Sequence, residues 1–309
     1  MYLARISLHA FLAGTVFLSG GLNPSILQAE TIVGLSTDNK LVRFDTTNPG
    51  VTSSSQTVSG LAADEQLVGI DYRPATGQLY GLGRSSRLYT IDLATASASM
   101  VGASSFSPIL VGDAFGFDFN PTVDRIRVVS DSGQNLRLHP VTGAVAATDK
   151  TLTYASTDAG AGQLPQVVGS AYTENRAGAL STILFGIDSV MDTLVRQAPP
   201  NDEILTTVGS LGVNFTDMAG FDISGATGAA YASLVKAGDS WSGLYSINLA
   251  SGQASWLGNI GSGQALADIT VVPEPSWAAL SALFGSGLWL AGRRRSGQRD
   301  SAVQSRTRL

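Results

Sequence analysis

The 309-residue chain contains no cysteine and only two histidines, His9 and His139. Without a thiol there is neither a disulfide to hold the fold nor a cysteine nucleophile. A His-rich zinc site is excluded, and a Ser-His-Asp arrangement has only His139 to build on in the body of the chain. Charged residues make up 14% and aromatics 7%. Basic residues are scarcer still in the body. Lys and Arg fall from 19 to 12 when Arg5 and the six arginines after Pro275 are set aside, while Asp and Glu fall only from 24 to 23 with Asp300, so residues 30–275 carry about −11. Such a surface repels nucleic acid and anionic membrane, and nucleic acid is not expected as a partner.

The two ends differ from the body. Arg5 precedes an apolar stretch from Leu8 to Leu22, and Leu27-Gln28-Ala29 offers a small residue at a cleavage point before Glu30. Residues 1–29 therefore read as a secretory signal peptide. At the other end, Val272-Pro273-Glu274-Pro275 is followed by an uncharged run from Ser276 to Gly292, then Arg293, Arg294 and Arg295. Seventeen apolar or small residues lie near the lower limit for a transmembrane helix, and the arginines favour a cytoplasmic end for it. The expected order is propeller body 30–272, sorting segment 273–295 with a membrane helix over 276–292, and a cytoplasmic tail 296–309.

This tail resembles the PEP-CTERM sorting signal of Gram-negative bacteria. Pro273, Glu274 and Pro275 match its motif, and Arg293, Arg294 and Arg295 match its basic stop, although the chain runs on to Leu309. The resemblance implies export through the secretion machinery, an exosortase as processing partner, a precursor anchored in the inner membrane, and a destination at the cell surface or outside the cell.

The body is repetitive. Gly-apolar-Asp-aromatic occurs as Gly69–Tyr72 and Gly116–Phe119, more loosely as Gly220–Ile223, degenerately as Gly169–Tyr172 and partially as Leu266–Ile269. Leu-x-x-apolar-Asp occurs as Leu41–Asp45, Leu88–Asp92 and Leu184–Asp188, with Leu244–Asn248 and the altered Leu136–Pro140. The second motif recurs at spacings of 47, 48, 48 and 60 residues, the first at 47, 53, 51 and 46. The second unit reads as four strands, Leu67–Tyr72, Gln78–Gly83, Arg87–Leu93 and Ser97–Gly102, joined by Gly/Pro/Ser turns. Four antiparallel strands in 40–50 residues is the arithmetic of a propeller blade. The first unit lacks its Gly-x-Asp strand, and Leu266–Val272 is that strand displaced to the C-terminus. The expected fold is all-β, a five-bladed β-propeller whose first blade is closed by the C-terminal strand. Six blades is the alternative, because the fifth unit carries extra residues around Ala237–Ser240. Residues Thr31–Ile260 also resemble an uncharacterised exported bacterial family, a domain of unknown function, through Gly116–Arg127. That resemblance implies a repeat fold and brings no activity.

Two places break or concentrate the pattern. Third-strand faces carry apolar pairs such as Val42/Phe44 and Tyr89/Ile91, but the third unit has Arg137 and His139 there, with Arg125 and Arg127 on the preceding strand. The turn places Arg127 opposite Arg137 and Arg125 opposite His139. Arg125, Arg127, Arg137 and His139, with Asp131, Asp118 and Asp124 as near carboxylates, form either an anion or acidic-glycan site or an inter-blade ion network. Asp71, Asp118, Asp222 and Asp268 recur once per blade near the axis, either as a calcium ring or as acceptors for backbone amides. Asp45, Asp92, Asp188 and Asn248 precede turns and read as Asx-turn formers. Two functions follow as expectations. The first is a non-catalytic exported propeller that binds an acidic polysaccharide or a protein partner, without a cofactor. The second is a metal-dependent hydrolase of lactonase or glycosidase type, using calcium and the aspartates.

Overall fold

In the computed structural model, residues 29–199 and 201–273 are described. The signal-peptide expectation over 1–29, all but residue 29, lies outside them, as do the membrane helix 276–292, the sorting residues Glu274, Pro275 and Arg293–Arg295, and the tail 296–309. Among the described residues no helix is long and apolar enough to cross a membrane.

Five sheets carry the chain, each a run of short strands whose alternate residues pack on a neighbouring sheet. Blade 1 takes β1 (Thr31–Ser36), β2 (Lys40–Asp45) and β3 (Asn48–Thr57). Blade 2 takes β4 (Leu67–Arg73), β5 (Gln78–Gly83), β6 (Arg87–Asp92) and β7 (Ser97–Val101). Blade 3 is β8 (Phe115–Asn120), β9 (Arg125–Ser130), β10 (Asn135–Leu138) and β11 (Val145–Thr148). Blade 4 is β13 (Val167–Tyr172), β14 (Leu184–Asp188), β15 (Thr193–Gln197) and β16 (Ile204–Ser210), and blade 5 is β17 (Phe215–Ile223), β18 (Ala230–Lys236), β19 (Ser242–Ile247) and β20 (Ala254–Asn259). The last strand, β21 (Leu266–Val271), pairs antiparallel with β1 and completes blade 1 as its innermost strand. The inner strands β21, β4, β8, β13 and β17 follow one another around the axis, and β17 contacts β21 to close the ring. The fold is a five-bladed propeller. The residues around Ala237–Ser240 are the β18–β19 loop and add no sixth blade.

Blade 4 departs from the repeat twice. A short strand β12 (Thr153–Tyr154) joins its outer edge in parallel to β16. The connection from β13 to β14 runs over residues 173–183, where blade 2 uses 74–77. The longer connection shifts the Leu-x-x-apolar-Asp motif of this unit onto the second strand, β14, rather than the third. The spacing of 60 that follows it reflects this shift.

The glycine of the Gly-x-Asp motif has a packing cause. Inner strands converge on the axis, so a Cβ at Gly116 would lie 2.7 Å from the backbone nitrogen of Ser170 in the next blade. A Cβ at Gly220 would lie 2.5 Å from the nitrogen of Ile269 in the blade beyond. Only glycine admits that approach. Turn chemistry is equally local. Asp45 Oδ1 accepts Thr47 N, Asp92 accepts Ala94 N and Thr95 N, Asp188 accepts Val190 N and Met191 N, and Asn248 accepts Ala250 N and Ser251 N.

Glu30 belongs to the propeller although it precedes the first strand. Its carboxylate, 3% exposed, accepts hydrogen bonds from Ser224, Thr227 and Tyr231 of blade 5, tying blade 1 to its neighbour. Closure by β21 leads to a direct prediction. A chain ending at Ala265 exposes the inner edge of β1 and loses the cooperative thermal transition, whereas a chain ending at Glu274 melts like the full chain. Equal melting of the two truncations would refute the closure.

Candidate functional site

The Gly-x-Asp aspartates meet at the axis. Asp71, Asp118 and Asp222 each offer a carboxylate oxygen, and these atoms lie within 4.8 Å of one another, all three side chains being buried. Each reaches across to the next blade's inner strand. Asp71 Oδ2 accepts Phe119 N at 2.8 Å, Asp118 Oδ1 accepts Tyr172 N at 3.1 Å, and Asp222 Oδ2 accepts Val271 N at 2.6 Å. Asp71 and Asp222 also accept the amide of the following residue, from Tyr72 and Ile223.

Asp268 is not the fourth member of this layer. Strand β21 pairs Thr270 with Val33 where β4 pairs Asp71 with Tyr80, so Thr270 stands at the aspartate position. Its hydroxyl donates to Asp71 Oδ1 at 3.0 Å. Asp268 sits two residues earlier, at the level of the motif glycines, and accepts Ile70 N at 2.9 Å. Ala171 leaves a gap at this position in blade 4.

Electrostatics follow from this crowding. Burial pushes Asp71, Asp118 and Asp268 well above the usual carboxylate value, and repulsion among the axial carboxylates adds to the rise. Burial brings Asp222 to about 7 against the pull of the Val271 and Ile223 amides. The three convergent carboxylates could hold a hard cation, which prefers several oxygens, or share protons.

The second cluster lies between blades 3 and 4. Arg127 pairs with Arg137 across β9–β10, and occupies the position that Tyr80 holds in blade 2. Tyr80 packs edge-on against Phe119 of the next blade. Arg127, 1% exposed, instead fills its inter-blade gap by donating to Tyr172, Asn135, Asp149 and Asn201. Arg137 donates from Nε and Nη2 to the two oxygens of the same Asp149 at 2.9 and 2.8 Å, and its side chain remains 30% exposed. Asp149 is thus the shared counter-ion, and residue types in the repeat did not single it out, because it follows β11 outside both motifs.

The structure separates the other members of the sequence cluster. Asp124 is held bidentately by Arg73, and Asp118 belongs to the axial layer. Asp131 lies beyond the far end of β9 and accepts Asp113 N, so it does not join the arginines. The β9–β10 ladder is paired as far as Leu138 opposite Ile126, so His139 follows the last pair on the side of Arg125, which pairs with Asn120 of β8 on its other edge. His139 closes the next turn, its Nδ1 accepting Val141 N. Arg125 and Arg137 do meet again, in the lining of a cleft of about 520 Å³ with Asn120, Thr122, Leu180 and Asn201. Among the described residues no Asp or Glu lines it.

The axial layer predicts a pH dependence. Asp222 binds its proton more tightly in the folded state than in the unfolded chain, so its stabilising contribution is full below the ordinary aspartate value of 3.8 and is lost as pH rises through about 7. Asp71, Asp118 and Asp268 act with the same sign. Thermal melting between pH 5 and 8 in chelator should show Tm falling by several degrees as pH rises, at roughly 2–4 °C per kcal/mol for a body of this size. Asp222→Asn should flatten that slope, and an unchanged slope refutes the assignment.

Residues 40–270 match the family model described as Domain of unknown function (DUF4394). No curated protein matches the chain.

Proposed function

The chain belongs to the family described as Domain of unknown function (DUF4394), and we propose that this propeller is an exported, non-catalytic binding protein of the cell surface or extracellular matrix, whose partner is an acidic polysaccharide held in the blade 3–4 cleft. One observation carries the reading. Of three guanidinium groups, Arg125, Arg127 and Arg137, two share the single carboxylate of Asp149 and the third forms no ion pair among the described residues, in a body near −11. Arg127 spends its donors inside the protein, but Arg137 presents a partly exposed guanidinium over the cleft. Arg125 forms no ion pair among the described residues and donates to the carbonyls of Val123 and Asp124. Guanidinium pairs of this kind favour carboxylates, which they bind bidentately. Hydroxyl and amide groups of Asn120, Thr122 and Asn201 supply neutral contacts beside them.

Export rests on the agreement between fold limits and signals. The propeller begins at Glu30, where the signal-peptide reading ends, and its last strand stops at Val271, two residues before the Pro273 of the sorting motif. A binding rather than catalytic role is supported by the axial carboxylates. Asp71 and Asp118 are buried and bonded to backbone amides, and Asp222, which also borders a cavity of about 950 Å³, gives its oxygens to the amides of Ile223 and Val271, whereas acid–base work needs carboxylates free to face a substrate. A second reading, a calcium-dependent hydrolase, is favoured by the convergence of Asp71, Asp118 and Asp222 within 4.8 Å.

The two readings predict different results. On immobilised polygalacturonate the full chain should be retained and released by salt, as screening requires. Arg125→Ala with Arg137→Ala should lose retention while melting within a few degrees of the parent. Undiminished retention overturns the glycan site. Arg127 is left alone in this test, because removing one partner of a buried charge pair costs about 3–5 kcal/mol and would unfold part of the population. Calcium titrated into the same protein should leave its melting unchanged under the first reading. A rise equivalent to about 2.7 kcal/mol at a hundredfold excess over Kd would favour the second.

A further inference from the structure

The arginine cleft does not stop at blade 4. A pocket of about 370 Å³ adjoins it, lined by Thr182, Ile183, Arg196, Gln197, Ala198 and Pro199. Thr182 lines both spaces, and the same two connections wall them. The β13–β14 connection gives Leu180 and Ser181 to the cleft and Ile183 to the pocket. The β15–β16 connection gives Asn201 to the cleft and Ala198 and Pro199 to the pocket. Cleft and pocket therefore run on from one another over the end of blade 4.

Strand alternation decides how the two halves are disposed. On β15, Val195 packs with Val129 of blade 3, while Leu194 packs with Phe215 and Tyr245 of blade 5. Arg196 shares the face of Leu194, opposite Phe185, and is exposed where Val195 and Gln197 on either side are buried. It thus stands on the blade 5 side of the sheet, whereas Arg125 and Arg137 belong to blade 3. Basic side chains flank both ends of the groove, with Thr182 between them.

Charge singles out these ends. Of the twelve Lys and Arg in residues 30–275, eight form ion pairs among the described residues, which leaves Arg43, Arg125, Arg196 and Lys236. Two of those four line the groove. The Arg196 guanidinium makes no hydrogen bond among the described residues; only its backbone carbonyl is used, by Thr206. Acids of the two connections are engaged elsewhere. Glu174 pairs with Arg176, Glu203 pairs with Lys150, and Asp202 strengthens the hold of Lys150 on its proton. Among the described residues no Asp or Glu lines either half, and Pro200, which lies outside them, carries no charge.

We propose that the groove takes a linear chain of uronic acid residues lying over the end of blade 4, one carboxylate held by Arg125 and Arg137 and a later one by Arg196. This rests on the acidic-polysaccharide reading of the cleft and adds a second anchor and a preference for chain length. A single acidic sugar or a lone phosphate fills one end only. A polymer with a carboxylate on every residue brings the second anion with the first, so the second contact forms at high effective concentration.

The test is calorimetric titration of the full chain with oligogalacturonates from the trimer to the dodecamer. Affinity in the parent should rise steeply beyond a threshold length. Arg196→Ala should remove that rise, weakening the dodecamer roughly five-fold or more while leaving the trimer and Tm unchanged. Lys236→Ala removes the same charge from a residue that lines neither space, and should bind the dodecamer as the parent does. Equal affinity of the parent and Arg196→Ala for the dodecamer overturns the second anchor and leaves the cleft reading standing. Affinity independent of length, or an equal loss in Lys236→Ala, overturns it too. A parent that binds no oligomer overturns both readings.

Discussion

The carboxylate-to-amide bonds at the axis are the interaction on which the rest of this propeller depends. Antiparallel ladders hold each blade together, but among the described residues no ladder joins the inner strand of one blade to that of the next. There, Asp71 captures Phe119 N, Asp118 captures Tyr172 N and Asp222 captures Val271 N, while the Thr270 hydroxyl closes on Asp71. Hydrogen bonds to a carboxylate are stronger than neutral ones, and burial away from water strengthens them further. The same burial raises the proton affinity of every carboxylate in the layer. The propeller is thus stitched by groups that resist being charged together.

Glycine and aspartate in the repeat are two halves of one solution. Glycine lets inner strands of adjacent blades approach, and aspartate two residues on exploits the approach by bonding across it. β21 alters both positions at once, with Asp268 at the glycine level and Thr270 at the aspartate level. It remains a working inner strand because Asp268 still accepts an amide of the next blade, from Ile70, and Gly220 opposite it leaves room.

The arginine cleft arises where blade 4 departs from its siblings. Ala171 removes an axial carboxylate, the β13–β14 connection lengthens, and Arg127 takes an interface position that Tyr80 fills one blade earlier. The lengthened connection walls the cleft with Leu180, Ser181 and Thr182. A propeller is built from near-identical parts, so its irregular blade is where binding chemistry can be added without breaking the ring.

Repeat period, hairpin turns and the displaced closing strand were legible in the sequence because each is a local pattern of residue types with fixed spacing. Leu67, Gln78, Arg87 and Ser97 begin strands where their alternation and turns predict, and the pairing of Arg127 with Arg137 followed from turn length. Other features lay beyond local pattern. The motif in blade 4 fell on the wrong strand because a longer connection preserves the spacing between motifs while moving the strand that carries one. Asp268 read as a ring member for the same reason, since similarity of residue type does not fix register to within two positions. Asp149 as counter-ion and Asp131 as a bystander depend on which residues of different blades face one another. The sequence alone determined five units, their turns and their closure, because those are set by neighbours along the chain. Only the tertiary structure decided which charges meet and which are buried, because hydrogen bonding across blades joins residues some 50 positions apart, as in Asp71 to Phe119 and Asp222 to Val271.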